Sequence, residues 1–154
     1  MSIVVQEVMA RDVITVDHDY SVKYAARMMN YFGISCLVAV SEGEIVGILT
    51  EKDVLTRVVA AGLNPEKVLI KDVITKPVIV VGPNTPLEEA VKIMFKRHIK
   101  KLPVVSEEDK RTTLVGMLSL TDVARLQPKM FEAMRELAQI GLSAPETDVS
   151  YYVR

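Results

Sequence analysis

The stretch Gly47-Ile48-Leu49-Thr50-Glu51-Lys52-Asp53-Val54 returns in pattern as Gly116-Met117-Leu118-Ser119-Leu120-Thr121-Asp122-Val123. Each copy runs glycine, two apolar residues, a hydroxyl residue, two variable positions and Asp-Val. Working outward, the similarity extends over most of the chain. VMARDVITV from Val8 lies over VITKPVIVV from Val73 at an offset of 65, and VKYAARMMNYFGISCLVAV from Val22 lies over LEEAVKIMFKRHIKKLPVV from Leu87 at the same offset. Past Ser106 the second copy carries SEEDKRTT where the first has SEGE, four extra residues that move the offset to 69. A polar insertion of this kind suits a turn between two strands. The chain therefore reads as a tandem repeat, residues 1–66 and 67–127, followed by a C-terminal helix and tail over 128–154.

Within a copy the periods change in a fixed order. The β-branched runs 13–16 and 78–81 read as strands. A helix follows each. In the second copy Thr85 is placed for the N-cap, Pro86 for the first helical position and Glu88 for a capping box, with Leu87, Ala90, Val91 and Met94 on one face. In the first copy the face is Val22, Ala25, Ala26 and Met29, capped by Asp19 or Ser21. Residues 37–40 and 102–105 form second strands, 45–49 and 114–118 third strands, and DVLTRVVAAG and TDVARL second helices. The unit is β-α-β-β-α, an α/β (α+β) class.

On this order Thr50 and Ser119 stand where a buried strand ends and a helix begins. A hydroxyl there satisfies helix N–H groups that lack intrahelical partners, and a carboxylate three residues on, Asp53 or Asp122, suits the positive end of the helix dipole. The same junction accommodates phosphate or hydroxyl oxygens of a ligand. One copy alone reads as a cap. Two copies leave both readings open.

The remaining composition narrows the classes. With 49% hydrophobic and 25% charged residues the chain has the makeup of a globular protein with a core. A net charge of −1 supplies no global field for nucleic acid or anionic membranes. Cys36 is the sole cysteine, so no internal disulfide forms. No uncharged run is long enough to span a bilayer, and a cytoplasmic setting is expected. An enzyme reading finds no support: His18 and His98 occupy non-equivalent places without metal-helix spacing, Asp17-His18-Asp19 reads as a loop, and no nucleophile motif, P-loop or dinucleotide fingerprint is present. Neither a catalytic residue nor a metal site is assigned.

The β-α-β-β-α repeat, the LPVV strand and the doubled Gly-h-h-(Ser/Thr)-x-x-Asp ending, where h is apolar, resemble a pair of cystathionine β-synthase (CBS) domains, called a Bateman module when doubled, over residues 5 to 127. The resemblance implies two repeats packed as a pseudo-twofold pair. It also implies a regulatory module that binds adenosine-containing ligands (AMP, ADP, ATP or S-adenosylmethionine) in clefts between the repeats. The aspartate would hold ribose hydroxyls and the Ser/Thr would lie near phosphate. One cleft would use Ser119 and Asp122 with Lys100, Lys101 and His98, and with Met9, Asp12 and Ile14 from the approach to the opposite first strand. The other would use Thr50 and Asp53 with Ile34, Ser35, Ile74, Pro77 and Ile79. Beyond an adenine nucleotide as regulatory ligand, no cofactor is implied.

The copies differ in charge. KRHIKK at 96–101 gathers Lys96, Arg97, Lys100 and Lys101 where the first copy has uncharged YFGISC. The cleft of Ser119 and Asp122 is therefore expected to favour a phosphorylated ligand, and that of Thr50 and Asp53 a less charged one or none. Basic residues also suit a helix C-terminus without any ligand, and the aliphatic candidates, with Leu102, also suit a core. Tyr31 and Phe32 are the nearest aromatic candidates for base stacking. Nucleic-acid binding through KRHIKK with Lys71, Lys76 and Lys110 is the alternative, as is a protein-interaction scaffold with empty clefts. In KMFEAMRELAQIG, Met130, Met134, Leu137 and Ala138 form a stripe ended by Gly141, which either folds onto its own core or covers a partner subunit. The resemblance implies a homodimer and an unidentified regulated protein, while Tyr151 and Tyr152 suggest a docking tail.

Overall fold

The computed structural model describes residues 2–139 and 152–153. These divide into two compact units that are not consecutive in the chain. Residues 14–78 with 152–153 form one, and residues 2–13 with 79–139 form the other. Each unit is thus one repeat plus the segment that leads into the other repeat.

In the first of these units, strand β1 (Thr15–Asp17) runs parallel to β2 (Cys36–Ser41), with Thr15 opposite Val38. Strand β3 (Glu44–Thr50) returns antiparallel to β2, with Cys36 opposite Thr50. Glu42 and Gly43 both have positive φ, 51° and 81°, the pattern of a tight two-residue hairpin whose twist matches its strands. Helix α1 (Val22–Phe32) connects β1 to β2. Ser21 caps it by accepting the Tyr24 N–H at 3.1 Å, so Ser21 and not Asp19 is the cap. Helix α2 (Glu51–Val54) follows β3 and continues as a π-helical turn over Leu55–Val59, in which Ala60 N–H reaches the Leu55 carbonyl at 2.8 Å. The core joins Val22, Ala25 and Met29 of α1 to Leu37, Ala39, Leu49 and Val58. Ile70, fully buried, comes from the segment leading into the second repeat.

The second unit repeats this plan. From Ile79, the second residue of β4 (Val78–Ile79), the chain leads through Val81, which bridges in parallel to Val104, into helix α3 (Leu87–Arg97). Strands β5 (Lys101–Glu108) and β6 (Arg111–Ser119) form the hairpin, with Lys101 opposite Ser119. The four extra residues lengthen each arm by two and carry the turn outward to Asp109 and Lys110, whose φ values of 49° and 65° make the same kind of turn. Register shifts fall at Ala39/Val40 and Val104/Val105, which are equivalent at the offset of 65. Leu87, Ala90, Val91 and Met94 are buried as one helix face, beside Leu102, Val104, Leu118 and Val123 of the following strands and helix. Val5, fully buried, takes the place that Ile70 holds in the other unit.

Two local expectations change. The N-cap of α3 is Pro86, which has no side chain to cap with. Thr85 instead turns its hydroxyl to the Gly82 N–H at 3.2 Å, and Glu88 pairs with Lys92 one turn along at 3.1 Å. Thr85 is drawn away because the tight turn at Gly82 leaves an N–H to satisfy. Helix α4 (Leu120–Leu126) is followed by α5 (Pro128–Gln139), which packs on α3 and α4. Met134 is buried and Met130 and Phe131 pack on the core, Phe131 lying 5.9 Å from Phe95 between ring centres. Leu137 and Ala138 are exposed, so only the first two turns of the expected stripe fold onto the core. Gly141 and Tyr151 lie outside the described residues. None of the helices among the described residues is long and apolar enough to cross a membrane.

Candidate functional site

Both copies of the opening motif sit at a strand-to-helix junction. Thr50 accepts the Asp53 N–H at 3.1 Å, and the Asp53 carboxylate accepts the Thr50 N–H at 3.0 Å, a complete reciprocal cap. Ser119 likewise accepts the Asp122 N–H at 3.0 Å, but here the carboxylate does not return the bond.

The segment preceding each first strand meets the third strand of the opposite repeat. Ala10 and Met117 exchange two backbone hydrogen bonds, at 2.9 and 2.8 Å. Thr75 and Ile48 do the same, at 3.0 and 3.2 Å. This contact explains the glycine that begins each motif. A Cβ on Gly116 would lie 2.9 Å from the Ala10 carbonyl oxygen and would overlap the Met9 side chain. One on Gly47 would come within 2.5 Å of Ile74 Cδ1. Glycine is favoured in both strands because the approach segment lies directly over them, through the Ala10 backbone and the Met9 side chain at Gly116 and through the Ile74 side chain at Gly47.

These contacts bring together much of each expected set. Met9 lies against Gly116, three residues before Ser119. Lys101 is paired with Ser119 across β5 and β6, and the Leu120 N–H bonds the Lys100 carbonyl at 2.9 Å, so the basic segment is registered onto the junction. Asp12 and Lys100 are exposed. Ile14 belongs to the other unit and packs on its core. In the matching set Ile74 lies against Gly47, and the Glu51 N–H bonds the Ser35 carbonyl at 3.0 Å. Ile34 packs on that unit's core, Pro77 is exposed behind a cis peptide, and Ile79 packs on the other unit's core.

His98 has a structural role that its sequence position conceals. It ends α3 in the left-handed conformation, φ 54° and ψ 41°, and its equivalent in α1 is Gly33 at φ 64° and ψ 38°. Tyr31 and Phe32 pack edge to face on each other at 4.9 Å and are both exposed. Lys71, one of the cations of the nucleic-acid reading, is paired with Asp19 at 3.0 Å. Asp17, His18 and Asp19 bring possible ligand atoms within 4.8 Å of one another. Their turn already uses two of them, since Asp17 accepts the Asp19 N–H at 2.8 Å and Asp19 holds Lys71.

Two residues that sequence reading did not single out engage Asp53. The Thr75 hydroxyl lies 3.3 Å from each carboxylate oxygen. Arg57 Nε stands 3.8 Å from the carboxylate, while its terminal nitrogen donates to the carbonyls of Val73 at 2.9 Å and Ile74 at 3.2 Å. Asp53 is buried at 7% exposure, the one buried charged residue among those described. Asp122 is more open, its side chain 24% exposed. Its side-chain partner is Arg125 at 3.1 Å, itself 70% exposed.

Two β-α-β-β-α copies, each ending a strand in a matched glycine, hydroxyl and aspartate, define a tandem-repeat module with a pair of equivalent junctions. The model of the CBS domain matches residues 5–60 and again 70–129, and the chain belongs to the CBS domain family as a tandem pair. An uncharacterized protein of Methanopyrus kandleri is 35% identical over 136 residues, 88% of this chain and 68% of that protein. The inosine-5'-monophosphate dehydrogenase of Korarchaeum cryptofilum is 37% identical over 134 residues, 87% of this chain and 26% of that enzyme, so the chain spans about a quarter of its length. Among solved structures, an uncharacterized conserved protein from Pyrococcus horikoshii has a TM-score of 0.72 at 28% identity, covering 84% of this chain and 95% of that one. The CBS domain pair of protein MJ0100, solved in complex with 5'-methylthioadenosine and S-adenosyl-L-methionine, has a TM-score of 0.70 at 28% identity, covering 82% and 96%.

Proposed function

We propose that this CBS pair is a regulatory module that binds an adenosine-containing ligand (AMP, ADP, ATP or S-adenosylmethionine) at the Ser119 and Asp122 junction. The observation that carries the reading is the gathering of Met9, Gly116, Ser119, Asp122 and the Lys100-Lys101 segment within one compact unit. Its chemistry suits such a ligand. Asp122 offers a partly exposed carboxylate for ribose hydroxyls. Ser119 accepts one helix N–H, and its hydroxyl has a proton to donate to a ligand oxygen. Lys100 supplies an exposed point charge for phosphate. The likeness to a CBS pair solved with two adenosine compounds supports the ligand class.

Binding acts on another protein through a difference in ligand affinity between two conformations or assembly states. A homodimer, the cytoplasm and a non-enzymatic role complete this reading.

Thermal unfolding with AMP, ADP, ATP, S-adenosylmethionine and GTP in turn tests it. A ligand specific for the folded chain, present at 100 times its dissociation constant, stabilises by about 2.7 kcal/mol. A raised midpoint confined to adenosine compounds is the expected result. Equal midpoints throughout the series, with no heat of binding, would return both motifs to helix capping alone.

A further inference from the structure

We infer that the Thr50 and Asp53 junction is closed to a ribose-bearing ligand by its own side chains, Thr75 and Arg57, so that the chain takes up one equivalent of nucleotide at the other junction. The inference rests on the reading of Asp122 as a ribose acceptor. It comes from setting the two junctions side by side. Asp53 accepts from the Thr50 N–H and the Thr75 hydroxyl and faces the Arg57 guanidinium. Those donors occupy the carboxylate as a ribose diol would. Arg57 lies in the π-helical turn, and from there also bonds the carbonyls of Val73 and Ile74, tying the approach segment to α2.

At the repeat offsets, the equivalent of Thr75 is Ala10 and that of Arg57 is Leu126. Neither can donate a side-chain hydrogen bond. The backbone exchange is nevertheless the same, Ala10 with Met117 and Thr75 with Ile48. The two junctions therefore share a scaffold and differ in whether the aspartate is already satisfied. Among the described residues the Asp122 carboxylate is paired with the solvent-exposed Arg125, which a ligand displaces more readily than a buried reciprocal cap.

Calorimetric titration of the full chain with AMP, ATP and S-adenosylmethionine in turn decides the matter. Wild type should bind one equivalent, lost in Asp122→Asn and kept in Asp53→Asn. The variant Thr75→Ala/Arg57→Leu, which gives this junction the residues of the other, should take a second equivalent. Conversely, Ala10→Thr/Leu126→Arg should lose the first. Two equivalents in wild type, or one that disappears in Asp53→Asn and survives in Asp122→Asn, would overturn the inference and leave the adenosine reading standing. Absence of binding by all three probes would instead overturn that reading. The closure is then judged by thermal unfolding alone: Asp53→Asn should lower the midpoint in wild type and much less in the Thr75→Ala/Arg57→Leu background. Equal losses in both backgrounds would overturn it.

Discussion

Thr75 and Asp53, 22 positions apart, meet side chain to side chain, the hydroxyl 3.3 Å from both carboxylate oxygens. Through this contact the segment leading into the second repeat is fastened to the helix cap of the first. Removing the carboxylate leaves the Thr50 N–H without its acceptor in a partly buried place, so Asp53→Ala should cost about 1–3 kcal/mol. Asp122→Ala removes an exposed pair with Arg125 and should cost less than about 1 kcal/mol. Urea unfolding of the two variants checks the order. Equal losses would show that Asp53 is no more structural than Asp122.

The glycines are constrained by the segment packed over them. Gly116→Ala drives a Cβ to 2.9 Å from the Ala10 carbonyl oxygen, which is held by its own bond to Met117 and cannot withdraw. A loss of about 1–3 kcal/mol is expected. Gly47→Ala meets the Ile74 side chain, not a backbone atom, and should lose less. Hydrogen exchange at Ala10 and Thr75 locates the damage, with protection falling at the segment opposite the altered glycine.

Left-handed geometry at His98 separates a capping role from a binding one. A residue with a Cβ pays roughly 1 kcal/mol in this conformation and glycine does not, so His98→Gly should raise the unfolding midpoint. If the imidazole also touches the ligand, affinity falls at the same time. A rise in midpoint with unchanged affinity would leave His98 as a cap alone.

The exposed pair of Asp19 and Lys71 carries a pH signature. The Lys71 hydrogen bond, followed by its charge and that of nearby His18, holds the Asp19 carboxyl below its ordinary range, and Asp19 raises Lys71 above its own, with Asp72 adding to the effect. A carboxyl depressed in the folded state contributes stability above its unfolded value, and loses it as pH falls through the lower folded value. The lysine's share persists below its ordinary value and disappears as pH rises past the raised one. The difference in stability between wild type and Asp19→Asn should therefore be small at neutral pH, vanish in acid and shrink in high salt. A difference that grew on acidification would contradict the pairing.

Much of the fold was legible because the chain says it twice. The offsets of 65 and 69 align the strands and the helix faces, and the register shifts, which only the strand pairing reveals, fall at equivalent positions. Thr85 departs from the expected cap because a sequence shows which residues can cap a helix but not which nearby N–H competes for them, here that of Gly82. Leu137 and Ala138 continued an apolar period beyond the point where α5 leaves the core. At the site, the junctions and their glycines were visible, whereas the partners of Asp53 were not. Arg57 looked like an ordinary helix residue, and Thr75 lies in the other repeat. A direct comparison of Thr75 with Ala10 and of Arg57 with Leu126 would have revealed the asymmetry, since both positions change from donor to apolar.

The most direct test concerns the ribose. Affinities of AMP against 2'-deoxy-AMP and of ATP against 2'-deoxy-ATP should be measured by calorimetry in wild type and in Asp122→Ala. A hydrogen bond to a charged group contributes about 1.5–3 kcal/mol, so wild type should prefer the ribonucleotide by roughly 10- to 100-fold. Asp122→Ala should bind both members of a pair equally. A preference that survives unchanged in Asp122→Ala, or is missing from wild type, would contradict the assignment of Asp122 as the residue that holds the sugar.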